Sequence, residues 1–176
     1  MAVDPHAWLD PIRSIIIAEN IKNALIELNP ENKAVFDENF IFLKKDLEQL
    51  NKKFTDTINN SKGKTFIVSH SAYGYWEDAY GLKQIAISGL SPSDEPSQSK
   101  IVEIIKSVKE NNLQYIYYEP NVKNKIANTV KKETGLETLT LNNLESISKE
   151  SIESDEDYLS LMEKNIEALS QELTQK

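Results

Sequence analysis

The chain contains no cysteine among its 176 residues. This absence excludes a disulfide framework and a metal site built on thiolates. The length suits one substantial domain, or one domain plus part of another. Hydrophobic residues make up 39% of the chain and aromatic residues 8%, which is enough to form a buried core.

Basic residues are fewer than acidic ones, with 20 Lys and Arg against 28 Asp and Glu and a formal charge of −8. Nucleic acids and anionic lipids need a basic surface, so neither is expected as a partner. The sequence has no run of 18 apolar residues and predicts no membrane-spanning helix. The first three residues lack the features of a signal peptide, and we expect a chain cut from a longer gene product.

Two helices are predicted in the first third of the chain. Apolar residues recur with helical spacing after Pro11, until Asn29 and Pro30 break the pattern. A second amphipathic helix is predicted over residues 31–60, about 45 Å long at the standard rise. So long a helix is typical of a packed spine or a coiled-coil arm.

The pattern changes after Ser61, where short β-branched or aromatic runs alternate with helical stretches. Strands are predicted at residues 65–68, 84–87, 115–118 and 138–141. Helices are predicted near residues 72–80, 97–111, 122–133 and 155–173. This alternation predicts the α/β class: a long linker helix followed by a lobe with a four-stranded parallel sheet flanked by helices.

The chain has only two histidines, His6 and His70. His6 lies between two prolines and beside Trp8, and could be a surface residue in a loop that leads into a helix. His70 follows the first predicted strand, where ligands gather in a parallel sheet. Its segment could also serve only to begin a helix, with Ser71 as the N-cap.

Carboxylates near the ends of other predicted strands are weaker candidates. Glu145 follows the fourth strand and, taken alone, reads as a loop residue. Glu119, before Pro120, reads as a strand terminator. The sequence contains no His-Glu-x-x-His helix, no Gly-x-Ser-x-Gly turn and no Gly-rich phosphate loop, so an enzyme is not expected. The best enzymatic alternative is a zinc hydrolase that uses His6, His70 and a carboxylate.

Taken together, several motifs resemble the zinc-type substrate-binding proteins of bacterial metal ABC importers, a cluster that includes manganese-binding relatives. The matching stretches are Asp4-Pro5-His6-Ala7-Trp8-Leu9, Ser69-His70-Ser71-Ala72-Tyr73-Gly74-Tyr75, Gly89-Leu90-Ser91-Pro92 through Glu95-Pro96-Ser97, Tyr117-Tyr118-Glu119, Leu144-Glu145 and Tyr158-Leu159-Ser160-Leu161-Met162 through Asn165. They span nearly the whole chain in the order that the family has.

The resemblance implies that His6, His70 and Glu145 are metal ligands. It implies zinc as the metal, because the position of His70 is often glutamate in manganese-type members. Imidazole nitrogens with a carboxylate oxygen suit zinc chemically. Binding needs neutral imidazoles, so affinity is expected to fall below about pH 6.5. In the family, one more histidine comes from a first lobe that precedes the Asp-Pro-His motif.

The resemblance also implies three parts: residues 1–29 as the tail of the first lobe, 30–61 as a linker helix and 62–176 as a metal-binding lobe. Without the first lobe, His6 could remain loose while His70 and Glu145 keep their places. The chain could also be a structural lobe without metal competence. An exposed lobe interface would favour a homodimer, formed by exchange of the N-terminal segment.

The implied function is extracytoplasmic capture of zinc for an ABC permease, in the periplasm or on a lipid anchor that lies outside this chain. Manganese or iron capture is an alternative. A metal-linked surface adhesin is another, because relatives have been named for adhesion.

Overall fold

The computed structural model describes residues 3–91, 93–120 and 125–174. Pro92 and residues 122–124, which belong to a predicted motif and a predicted helix, lie outside them. The first helix, α1, spans Pro11–Leu28. Asp10 caps it, because the Asp10 side chain accepts a hydrogen bond from the backbone N–H of Ile12. Proline at its first position needs no hydrogen-bond partner, which suits a helix start.

A short 3-10 turn at Pro30–Asn32 separates α1 from α2, which spans Lys33–Asn59. The break follows from Pro30, which disfavours helical backbone at Asn29. The 27 residues of α2 extend about 40 Å at the standard helical rise. Both helices agree with the sequence prediction to within about three residues at each end.

Four short strands form one parallel sheet in the order β2-β1-β3-β4. Their bounds are Thr65–Val68 for β1, Lys83–Ala86 for β2, Tyr115–Tyr118 for β3 and Glu137–Thr140 for β4. The central pairing aligns Val68 with Tyr117. The predicted parallel sheet is therefore confirmed, with β2 and β4 each beginning one residue earlier than expected.

The remaining helices connect and cover the strands. They are α3 at Gly74–Tyr80, α4 at Gln98–Glu110, α5 at Lys125–Thr134, α6 at Lys149–Glu153 and α7 at Tyr158–Leu173. The sequence missed the five-residue α6. The alternative that makes Ser71 an N-cap is contradicted, because the N-cap position of α3 is Tyr73, two residues later, and no side chain caps the helix.

Alternating strand residues divide the core between the two faces of the sheet. On one face, Phe66, Val68 and Tyr117 pack with Leu50, Phe54 and Ile58 of α2 and with the buried side of α7. On the other face, Ile67 and Ile116 pack against α4 and α5. The second half of α2 is thus part of the core. It connects the sheet to α1 and to the first half of α2.

The helical arm, which we define as α1 together with residues 33–46 of α2, is different. Its apolar side chains are largely exposed: Ile12, Ile16, Ile17, Ile21, Leu25, Leu28, Val35, Ile41, Phe42 and Leu43. A groove of about 330 Å³ runs between its two helices. Within the described residues, no helix is both long and apolar enough to cross a membrane.

Candidate metal centre

His70 lies just beyond the carboxyl end of β1, where the sequence prediction placed it. Its side chain is completely buried. The β1–β3 pairing continues past the strand ends, because the backbone N–H of Ser69 donates to the carbonyl of Tyr117 at 3.1 Å. This register brings the segment after β1 beside the segment after β3.

Glu119, the residue after β3, is the direct partner of His70. Its Oε1 lies 2.9 Å from His70 Nδ1, and Ser69 Oγ donates to its other oxygen. The sequence treated Glu119 as a strand terminator, yet it is 4% exposed and faces the site. The other ring nitrogen, His70 Nε2, is buried and has no hydrogen-bond partner among the described residues.

His6 reaches the same place from the N-terminal segment, residues 3–10. It is 1% exposed, which contradicts both a surface role and a loose segment. Asp4 holds it from behind, because Asp4 Oδ1 accepts from the backbone N–H of His6 at 3.0 Å and lies 2.7 Å from its Nδ1. His6 Nε2 lies 2.9 Å from Glu145 Oε1.

Aromatic side chains of α3 and α7 bind the backbone of the N-terminal segment. Tyr75 donates to the carbonyl of Asp4, Tyr158 to that of Trp8 and Trp76 to that of Leu9, at 2.7–2.8 Å. These contacts keep His6 in place within this chain alone.

Glu145 lies in the loop after β4 and is exposed. Asn143 Oδ1 accepts from the backbone N–H of Glu145 at 3.2 Å, and the indole of Trp8 donates to the carbonyl of Asn143 at 2.9 Å. Leu144 has a φ of +60°, a conformation that non-glycine residues rarely adopt. Local strain of this kind is common where a loop presents a functional side chain.

The base of this loop is held by Asn165 of α7. Its side-chain oxygen accepts from the backbone N–H of Asn142 at 2.7 Å, and its amide donates to the Asn142 carbonyl at 2.8 Å. Asn165 ends the last motif of the family resemblance, which implies no role for it, and it is 1% exposed. A buried amide with both of its groups satisfied is a stable clamp on the loop.

These elements bring together all three residues that the sequence nominated. One nitrogen each of His6 and His70 and one carboxylate oxygen of Glu145 lie within 4.8 Å of one another. Because the Nδ1 atoms face Asp4 and Glu119, both histidines present Nε2. Ligands of a tetrahedral zinc ion lie about 3.3 Å apart at Zn–N and Zn–O bonds of about 2.0–2.2 Å. The three atoms of the cluster lie at distances that approach this spacing.

The surroundings of the cluster are negatively charged and partly shielded from solvent. Burial raises the pKa of Tyr73 well above its usual value, and the charges of Glu119 and Glu145 raise it further. Asp4 adds a third carboxylate behind His6. An environment that disfavours one more negative charge favours a cation at the same place.

Comparison with known proteins identifies the family of this chain. The family described as zinc-uptake complex component A, periplasmic (ZnuA), matches residues 2–172. The chain therefore belongs to the ZnuA family, a class of substrate-binding proteins.

Individual relatives cover nearly all of this chain. The zinc-binding lipoprotein AdcA of Streptococcus pneumoniae is 42% identical over 168 residues, which are 96% of this chain and 34% of AdcA. The Zn(II)-bound ZnuA-like domain of the same protein superimposes with a TM-score of 0.81 at 42% identity, covering 98% of this chain and 64% of that domain. The laminin-binding protein Lbp of Streptococcus pyogenes gives 0.87 at 37% identity, covering 97% and 65%. The chain thus spans about a third of the length of AdcA.

Proposed function

We propose that this chain takes part in extracytoplasmic capture of zinc for delivery to an ABC permease. The observation that carries the proposal is the convergence of His6, His70 and Glu145, with a buried Nε2 on His70 that has no hydrogen-bond partner in the described parts of the chain. Burying a ring nitrogen without a hydrogen-bond partner destabilises the folded protein unless a ligand binds that nitrogen. A metal ion supplies that partner.

The donor set favours zinc over manganese. Two imidazole nitrogens and one carboxylate oxygen are a common zinc set, whereas Mn²⁺ prefers oxygen ligands. Zinc-binding names among the relatives support the same choice. A fourth ligand, which the family resemblance assigns to the first lobe, would close the site and leave no position for a reacting water. This favours binding over hydrolysis.

The test is a calorimetric titration of the metal-stripped chain, first with zinc and then with manganese. We expect zinc binding that is lost in His70→Ala, weakened in His6→Ala and in Glu145→Gln, and unchanged in Glu137→Gln, which replaces an exposed carboxylate on β4. No zinc binding by the unmutated chain would refute metal competence of this part of the protein. Tighter binding of manganese would favour the alternative metal, and metal-dependent ester hydrolysis would favour the enzymatic alternative.

We further propose the domain division that the resemblance implies, with residues 1–29 in a first lobe, 30–61 as the linker and 62–176 as the second lobe. The exposed apolar face of the helical arm supports it, because such a face is typical of an interface. In the isolated chain, the same face supports a homodimer through the arm.

Sedimentation equilibrium tests the dimer. We expect association that depends on concentration and that Ile21→Glu in the groove abolishes. The matched control is Val102→Glu, an exposed apolar residue of α4 outside the arm. A monomer at all concentrations would refute the dimer.

Adhesion is a second candidate, favoured by the similarity to a laminin-binding protein. Binding of the zinc-loaded and metal-free chain to immobilised laminin tests it directly. Saturable binding would support this role beside metal capture, and its absence would refute it.

A further inference from the structure

Glu119 is a buried carboxylate for which zinc capture, as described above, has no direct use. Its side chain is 2% exposed, and it contacts the ring of His70 and the hydroxyl of Ser69. Burying a carboxylate costs free energy unless hydrogen bonds compensate for the lost water. Its placement therefore calls for a reason beyond ending a strand.

The sheet fixes the position of Glu119 on both sides. Ser69 N–H donates to the Tyr117 carbonyl at 3.1 Å, and Leu141 N–H donates to the Tyr118 carbonyl at 3.1 Å. These bonds extend the β1–β3 and β3–β4 pairings beyond the strands and hold the backbone immediately before Glu119. The carboxylate is thus set by the register of the sheet and does not depend on a bound metal for its place.

The chemistry of the contact determines where the proton of His70 lies. An ionised carboxylate only accepts hydrogen bonds, so the His70 nitrogen that faces Glu119 must carry the proton. In a neutral ring, the other nitrogen then has a free lone pair. That other nitrogen is Nε2, the buried atom that points into the cluster.

We propose that Glu119 is a positioning residue that holds His70 in the tautomer whose Nε2 can bind a metal, before any metal arrives. Ser69 takes part by donating to the second carboxylate oxygen, which fixes the plane of the carboxylate. The binding consequence rests on the proposed function, whereas the tautomer itself does not.

Asp4 has a weaker version of this role at His6. It lies only two residues away in the same segment, and its side chain is 23% exposed. The orientation of His6 therefore depends on docking of the N-terminal segment, whereas that of His70 is built into the sheet. Of the two histidines, His70 is the one prepared by the fold.

The test is NMR of the metal-free protein labelled with ¹⁵N in histidine, recorded near pH 8, above the ordinary histidine pKa of about 6.5. Only two histidines contribute to the spectrum. We expect His70 to carry its proton on Nδ1, with Nε2 unprotonated. Glu119→Leu removes the acceptor, and Glu119→Gln removes the charge but keeps the size. The Nε2-protonated form of His70 should become detectable in both, and more strongly in Glu119→Leu.

Glu172→Gln is the matched control. Glu172 is as deeply buried, but it accepts from the backbone N–H groups of Gln114 and Tyr115, away from the cluster. It should leave the tautomer of His70 unchanged. Circular dichroism establishes that each variant is folded, and if Glu119→Leu does not fold, Glu119→Gln still decides the question.

Zinc titration supplies the second readout. Loss of a carboxylate behind a ligating histidine weakens metal binding by roughly 10- to 100-fold. We expect this loss in Glu119→Gln and none in Glu172→Gln. An unchanged His70 tautomer in the Glu119 variants would overturn the inference. If the unmutated chain does not bind zinc, the proposed function fails, while a shifted tautomer would still support the role of Glu119.

Discussion

The helical arm and the sheet region, which we define as β1–β4 with α3–α7, both carry regularly spaced apolar residues but differ in how deeply these residues are buried. In α1, the buried position is Pro11, at the very start of the helix. In α2, the buried residues are Leu47, Leu50, Phe54 and Ile58, all in the half that packs against the sheet region. Around the sheet, the strands and both layers of helices contribute to two apolar clusters.

This difference shows what an amphipathic pattern determines and what it does not. The spacing of apolar residues determines which side of a helix is apolar. It carries no information about what covers that side. The sheet region covers its own apolar residues, whereas the apolar face of the arm is exposed within the described part of the chain.

The largest expected effect comes from a comparison of two phenylalanines of α2, one buried and one exposed. Phe54 is completely buried, with ring centroids 5.0 Å from Trp76 and 4.2 Å from Tyr80. Phe54→Ala should lower the free energy of unfolding by about 3–5 kcal/mol. Phe42, in the arm, is 60% exposed. Phe42→Ala should change the free energy of unfolding by no more than about 0.5 kcal/mol.

Urea unfolding followed by circular dichroism measures both values. A loss of about 2 kcal/mol or more in Phe42→Ala at low protein concentration would mean that the arm is covered within one chain. The contrast between the two regions would then fail.

A smaller effect is expected from a comparison of two asparagines, one buried at the base of the Glu145 loop and one exposed in the arm. Asn165→Ala removes both hydrogen bonds to Asn142 and should cost about 1–3 kcal/mol. Because this clamp holds the loop that carries Glu145, zinc affinity should fall too. Asn23→Ala, at an exposed site on α1, should leave both unchanged. Urea unfolding and zinc titration provide the comparison, and unchanged affinity in Asn165→Ala would show that the loop keeps its position without the clamp.

The smallest effect concerns Tyr158, which donates to the carbonyl of Trp8. Tyr158→Phe should cost about 1 kcal/mol at neutral pH. Burial raises the pKa of Tyr158 to about 12. Since the folded state favours the neutral phenol, this stabilisation is complete below the ordinary tyrosine pKa of about 10 and is lost as the pH rises through 12.

Urea unfolding at pH 9 and pH 11 should therefore show the difference between the unmutated chain and Tyr158→Phe becoming smaller at the higher pH. The arm contains no tyrosine, so its stability should not contribute to this change. An equal difference at both pH values would contradict the buried position of the phenol.

Most of the fold could be predicted because its signals are local. Apolar spacing and the break at Pro30 determine α1 and α2, and β-branched runs determine the strands. The five residues of α6 are too few to show a helical period, so that helix was missed. Ser71 has the residue type of an N-cap, but its backbone N–H donates to the carbonyl of Gly89, and the helix begins later.

The site could be predicted only in part. Position after a strand selects His70, Glu119 and Glu145 alike as candidates. The family resemblance then assigns the ligand role to His6, His70 and Glu145. Their supporting residues depend on contacts between distant parts of the chain. Glu119 is 49 residues from His70, and Asn165 is 23 residues from Asn142. Residue type gives no sign of such pairings, since they arise from sheet register and helix packing.

The docking of the N-terminal segment has an optical consequence. Both tryptophans of the chain lie at its contacts: the Trp76 indole donates to the Leu9 carbonyl, and the Trp8 indole donates to the Asn143 carbonyl. The Trp8 ring lies 5.5 Å from that of His6. Intrinsic tryptophan fluorescence is therefore a label-free reporter of this segment, and its emission wavelength and quenching record attachment and release without any added dye.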